Sequence, residues 1–297
     1  MGASGQEIAR GTLQVEGLSV AYLAAGALDA AVPPVVLVHG LGAAKSWWGH
    51  NIPALAARFR VYALDLPGHG ESAVPQAVPD AGFGARFLLA ALDALGLARA
   101  ALVGQSLGGY IALQVAIQAP QRVSRLVLVD SAGLGRDLNW LLRAATLPAW
   151  GELLLGVLGR YRWEIRREYG ALFHDPSVLT EEMVEEVQAN RARPRAAAVL
   201  LAMLRRGVTW RGVKRSVLLL DRLGQVRAPA LIIWGAEDPL FPLSHARSAQ
   251  EGMPGSRLEV FPACGHCPQL EYPERFNRLL TDFLAGPTAL DAQRSPL

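Results

Sequence analysis

Apolar residues along this chain come in short unbroken runs, separated by longer stretches with helical spacing. Pro34-Val35-Val36-Leu37-Val38, Arg60-Val61-Tyr62-Ala63-Leu64, Ala101-Leu102-Val103, Arg125-Leu126-Val127-Leu128-Val129, Ala230-Leu231-Ile232-Ile233-Trp234 and Arg257-Leu258-Glu259-Val260-Phe261 are the runs. Most of these runs read as strands covered on both faces, without polar alternation. Residues 11–24 instead predict two antiparallel strands around Glu16-Gly17. Between the runs, the spacing predicts helices over about 46–57, 83–96, 108–118, 243–251 and 272–284. Strands that alternate with helices predict a mainly parallel α/β sheet.

The rhythm breaks between about Gly135 and Leu223, where helical periodicity dominates, and resumes at Arg227-Ala228-Pro229. This predicts an inserted helical cap, or lid, over residues 136–222, on a core made of 1–135 and 223–297. The cap would lie over the C-terminal edge of the sheet, where open α/β sheets bind ligands. It holds fifteen Arg and Lys against ten Asp and Glu, a net +5, while the rest of the chain is −2. A solvated face accounts for these arginines; steering of anionic substrates is the sharper reading. Residues 286–297 read as a loose tail.

Composition narrows the function classes. The chain has 297 residues, 51% hydrophobic and 19% charged, enough for a large core. A net charge of +3, with no basic run interleaved with aromatics, gives no footprint for nucleic acid. Apolar runs fall well short of the roughly 18–20 residues of a spanning helix. The first residues have neither a basic start nor an apolar core, so the expected location is cytoplasmic. Cys264 and Cys267 form a Cys-Gly-His-Cys motif late in the chain. A redox pair belongs at a helix start in a small βαβ domain, and a zinc site needs a fourth ligand, so two reduced thiols are expected. Oxidation that distorts this loop is the sharper alternative.

The chemistry centres on Gly104-Gln105-Ser106-Leu107-Gly108, between an apolar run and a helical stretch. In that strand–turn–helix setting the pentapeptide is a nucleophile elbow. The serine projects from a turn so tight that side chains two residues either side would collide. A serine hydroxyl needs a base, and an imidazole needs a carboxylate to orient it. Asp238, in Trp234-Gly235-Ala236-Glu237-Asp238, and His266, in Ala263-Cys264-Gly265-His266, follow later runs in the order Ser, acid, His. Asp130, at the end of an earlier run, is the rival acid; structural hydrogen bonding is its expected role.

These pieces, with Val38-His39-Gly40-Leu41-Gly42 and Asp65-Leu66-Pro67-Gly68-His69-Gly70-Glu71-Ser72, resemble the α/β-hydrolases over roughly residues 12–285. The likeness is to the cap-bearing branch that includes esterases, C–C bond hydrolases and cofactor-free haloperoxidases. It implies Ser106 as nucleophile, Asp238 as acid and His266 as base. It implies an oxyanion hole from the backbone N–H groups of Leu41 and Leu107. It also implies a reaction without cofactor or metal. His39, His69 and Asp65 are expected to be scaffolding, and His50, His174 and His245 surface or packing residues. Trp47, Trp48, Trp140, Leu240 and Phe241 are candidates for an apolar pocket. Leu147, Trp150, Trp163 and Phe173 fit either that pocket or a cap core.

The expected function is hydrolysis of a carboxylic ester through an acyl-enzyme on Ser106, on a small apolar acyl substrate. The first alternative is a C–C bond hydrolase of vinylogous diketones, for which a carboxylate-binding cap arginine would speak. The second is a ligand sensor on a hydrolase scaffold.

Overall fold

The computed structural model describes residues 7–29, 32–80 and 82–286. Of the tail expected over 286–297, residues 287–297 lie outside the described residues. Strands β1 (Ala9–Val15) and β2 (Leu18–Ala25) pair antiparallel across Glu16 and Gly17. Both turn residues have positive φ, 48° and 78°, as a two-residue hairpin whose turn matches the strand twist requires. Next come β3 (Val35–Val38), β4 (Val61–Leu64), β5 (Ala100–Gln105) and β6 (Val123–Val129). The chain then leaves the sheet, forms the small antiparallel pair β7 (Val208–Thr209) and β8 (Gly212–Val213), and returns with β9 (Ala230–Gly235) and β10 (Arg257–Phe261).

The eight-stranded sheet has the order β1-β2-β4-β3-β5-β6-β9-β10, parallel from β4 onward. Period-two burial explains the unbroken apolar runs. Val36 and Val38 of β3 face one core and Val35 and Leu37 the other. Helices α2 (Phe83–Ala94), α3 (Leu107–Gln118) and α8 (Ser244–Gly252) cover the first face through Phe87, Ile111 and Ala246. Helices α1 (Ile52–Ala56) and α10 (Pro273–Ala285) cover the second through Ile52, Leu55, Phe276 and Leu280.

One expected helix is broken where a proline dictates, while the helix expected over 272–284 forms intact as α10. Residues 46–57 become a 3₁₀ turn, Lys45–Trp48, followed by α1 with Pro53 in its first turn. Near the end, α9 (Pro268–Glu271) precedes α10, each opening on a proline. A residue without an N–H fits only the first turn, so each proline restarts a helix.

Between β6 and β9 lie α4 (Trp140–Ala144), α5 (Arg162–Gly170), α6 (Glu181–Ala192) and α7 (Ala196–Gly207), with shorter turns. Thr180 caps α6 by accepting from the Met183 N–H. Ile165, Tyr169 and Val184 of this segment bury themselves with Trp47, Cys267 and Leu270 of the core loops. That third cluster seats the segment over the C-terminal ends of the strands.

Candidate active site

The turn after β5 is built by contacts that only glycine permits. A Cβ on Gly104 would stand 2.3 Å from the Gly108 carbonyl oxygen, and one on Gly108 would stand 2.2 Å from that of Val38. With both positions bare, Ser106 takes φ 53° and ψ −114° at the start of α3. Neighbouring β6 holds it there. The Ser106 N–H donates to Val129 O at 2.9 Å, and Ala132 N–H donates to Ser106 O at 3.1 Å. Conformations like this persist only where the surroundings over-determine them.

Asp238 and His266 follow β9 and β10. The His266 Nδ1–H donates to Asp238 Oδ2 at 2.9 Å, with both side chains buried. Asp238 Oδ1 accepts the Leu240 N–H at 2.7 Å, which fixes the carboxylate plane. The rival Asp130 directly follows β6, and its Oδ1 accepts the Gly235 N–H at 2.9 Å. Ligating atoms of Asp130, Asp238 and His266 lie within 4.8 Å of one another. Burial, then the nearby Asp238 charge, pushes the Asp130 carboxyl well above the usual range. Two carboxylates so close and so buried do not both ionise readily.

The loop after β3 lies directly against the elbow. A Cβ on Gly40 would meet Gln105 Oε1 at 2.3 Å and Ser106 Cβ at 3.1 Å. This brings Leu41 beside Ser106, while Leu107 opens α3, where the first N–H groups have no intrahelical acceptor. His39 is scaffolding: its Nδ1–H donates to Gly40 O at 2.7 Å and its Nε2 accepts the Leu66 N–H at 3.0 Å. Burial holds its imidazole below the ordinary value, so it stays neutral. Asp65 organises its turn, accepting from Lys45 N–H at 2.7 Å and Glu71 N–H at 2.9 Å.

Ser106, His266, Leu41, Leu107, Trp47, Leu240 and Phe241 line one cavity of about 370 Å³. Phe241 packs on the His266 ring at 5.6 Å. Two pocket candidates lie elsewhere. Trp48 is buried against Phe276, with ring centroids 6.3 Å apart, under the opposite face of the sheet. Adjacent residues in a 3₁₀ turn point about a third of a revolution apart, so Trp47 and Trp48 diverge. Trp140 projects into solvent. Leu147, Trp150 and Trp163 are exposed as well, and Phe173 is stacked on Trp47 at 6.4 Å.

Several residues that shape the site carry no motif of their own. Gln105 Nε2 donates to His266 O at 3.0 Å, and Glu271 accepts the Gly265 N–H at 2.8 Å. Tyr169, from α5, donates its hydroxyl to Gly42 O at 2.9 Å; burial pushes this phenol up to about 12, so it keeps its proton. The buried Lys45 bridges Asp65 and Glu71, each at 2.6 Å. Only the position of Gln105 inside the elbow hinted at any of them. Among the charged lining residues, Arg191 is paired with Glu168 at 2.8 Å and Arg167 with Glu164 at 2.5 Å. Cys264 and Cys267 are free and buried, and burial pushes both thiols above their ordinary value.

Known proteins match this arrangement. The chain is 39% identical over 255 residues to the dihydrolipoyllysine-residue acetyltransferase component of the acetoin cleaving system of Pseudomonas putida, covering 84% of this chain and 63% of that one. It is 33% identical over 259 residues to the 2-hydroxy-6-oxo-6-phenylhexa-2,4-dienoate hydrolase of Burkholderia cepacia, covering 85% and 87%. The crystal structure of a membrane phospholipase A, described as a bacterial virulence factor, superposes with a TM-score of 0.76 at 28% identity, covering 97% and 87%. The family model described as alpha/beta hydrolase fold matches residues 33–273. With that match and the parallel sheet that carries Ser106, Asp238 and His266 at its C-terminal edge, the chain belongs to the α/β-hydrolase family.

Proposed function

We propose that this hydrolase cleaves carboxylic esters, with Ser106 as nucleophile, His266 as base and Asp238 as the orienting acid. The carrying observation is the His266–Asp238 hydrogen bond at 2.9 Å in the cavity onto which the strained Ser106 opens. Ser106 Oγ attacks the ester carbonyl as His266 Nε2 takes its proton. Asp238 holds the proton on Nδ1, so Nε2 is the free base, and it stabilises the imidazolium that forms. The N–H groups of Leu41 and Leu107 receive the oxyanion, each such donor contributing about 3–4 kcal/mol to the transition state. The imidazolium then protonates the leaving alcohol. In the second half, His266 activates a water that releases the acid and regenerates Ser106. Residues 136–222 act as the cap that closes the cavity from above.

Cleavage of a C–C bond in a vinylogous diketone uses the same residues, and the Burkholderia relative's name favours it. A dienoate substrate brings a carboxylate that must find a cation in the cavity. Arg191 and Arg167 already face Glu168 and Glu164, which leaves Arg206, a lining residue bonded to Val78 O, as the cation that such a carboxylate would have to find. Hydrolysis of nitrophenyl esters from acetate to long acyl chains, with Ser106→Ala alongside, tests the reading. Turnover that disappears in the variant is the expected result. A folded protein inert on every ester but active on a dienoate would replace the ester reading with C–C cleavage. Slow turnover everywhere with tight ligand retention would favour a sensor.

A further inference from the structure

Nine of the thirteen large apolar side chains that stand exposed among the described residues fall between positions 140 and 210. Trp140 is 69% exposed, Trp150 57% and Trp210 56%, and Leu141, Leu147 and Leu153 accompany them. Hydrogen bonds join the elements that carry them. Arg143 Nε donates to Trp210 O at 2.7 Å, tying α4 to the β7–β8 turn. Arg205 Nη2 donates to Leu147 O at 3.0 Å, tying α7 to the loop that bears Trp150. The elements that carry these side chains are therefore neighbours, and the exposed Leu141 also lines the catalytic cavity. Large apolar side chains clustered in the open on neighbouring elements mark an interaction surface.

The charges of the patch indicate its occupant. Arg211 stacks on Trp210, 5.2 Å from the ring centroid. Among the described residues neither Arg143 nor Arg211 has a carboxylate partner. Glu152 is neutralised by Arg205, and the exposed Asp137, 3.9 Å from His245, is outnumbered by Arg143 and Arg211. A second copy meeting this face about a twofold axis would set these arginines against one another. An anionic surface meets them favourably, and tryptophan is the side chain that settles best at the boundary between lipid headgroups and acyl chains.

We propose that this face docks on anionic phospholipid and admits apolar esters from that surface to Ser106 past Leu141. The docking stands on its own; the passage of esters rests on the ester reading above.

The test is cosedimentation of the full chain with vesicles of phosphatidylcholine, alone or mixed with phosphatidylglycerol. Trp140→Ser/Trp150→Ser is measured in parallel, together with turnover of a short soluble ester. The wild type is expected to pellet with the anionic vesicles only, and to be released by high salt. The double variant is expected to bind roughly tenfold more weakly, as loss of two interfacial anchors implies, while its soluble-ester turnover is unchanged. Wild-type protein that stays in the supernatant, or a double variant that binds equally well, overturns the docking. A concentration-dependent dimer that the double variant dissolves overturns it too, by naming a second copy as the occupant. Vesicle binding without ester turnover by the wild type sinks the ester reading and upholds the docking.

Discussion

Replacing Asp130 by asparagine tests whether the carboxyl behind the His266–Asp238 pair carries a proton. The amide keeps the shape of the carboxyl and an oxygen to accept the Gly235 N–H, which now reaches Asp130 at 2.9 Å. Burial and the Asp238 charge raise the Asp130 pKa in the folded chain. Unfolded, the same carboxyl titrates near 3.9. From roughly pH 5 upward the unfolded chain has lost this proton and the folded chain has not. The folded state therefore loses stability as pH rises, by about 1.4 kcal/mol per pH unit for one proton, until Asp130 titrates in the folded protein. This contribution is fully present below the unfolded pKa. The Asp130→Asn variant lacks the slope. Urea unfolding of both proteins should show the variant gaining on the wild type as pH rises above roughly 5, by up to about 1.4 kcal/mol per pH unit. Parallel stability curves would refute the reasoning, because they mean that Asp130 ionises in the fold as freely as outside it. Asp130→Ala serves as contrast. It strands the Gly235 N–H and should lie about 1–3 kcal/mol below Asp130→Asn at every pH.

Further predictions concern the supports of the site. Lys45→Met leaves the buried Asp65 without its cation at 2.6 Å and should lower stability by about 3–5 kcal/mol, read as a fall in Tm. Tyr169→Phe removes the hydroxyl bond to Gly42 O; it should cost about 0.5–1.5 kcal/mol in stability and lower kcat on esters more than it raises KM. Gly108→Ala places a methyl 2.2 Å from the Val38 carbonyl oxygen and should abolish the native elbow, seen as insoluble protein or loss of active-site labelling by a fluorophosphonate. His69 is held neutral by burial, its pKa pushed down to about 3. The stability it confers is present above its unfolded pKa near 6.5 and falls by about 1.4 kcal/mol per pH unit as pH drops toward 3. His69→Gln should flatten that acid limb in pH-dependent unfolding.

Local stereochemistry made much of this protein legible in its sequence. The strands of the parallel sheet were visible because burial on both faces leaves an unbroken apolar run, as in β3 and in residues 126–129 of β6. The hairpin at Glu16-Gly17 and the elbow at Ser106 were visible because each demands particular residues within a few positions, whatever the rest of the chain does. Tertiary structure alone decided what depends on partners remote in sequence. Trp47 and Trp48 are chemically identical neighbours, yet one lines the cavity and the other packs on Phe276. Asp130 and Asp238 lie over a hundred positions apart and share a buried site because β6 and β9 pair in the sheet. The arginines of the 136–222 segment read alike as letters. Folding gives Arg191 to Glu168, and leaves Arg143 and Arg211 beside exposed tryptophans. A pattern along the chain encodes which face of an element is buried. It carries no record of which distant side chain arrives there, and charge pairing and pocket lining are set by that arrival.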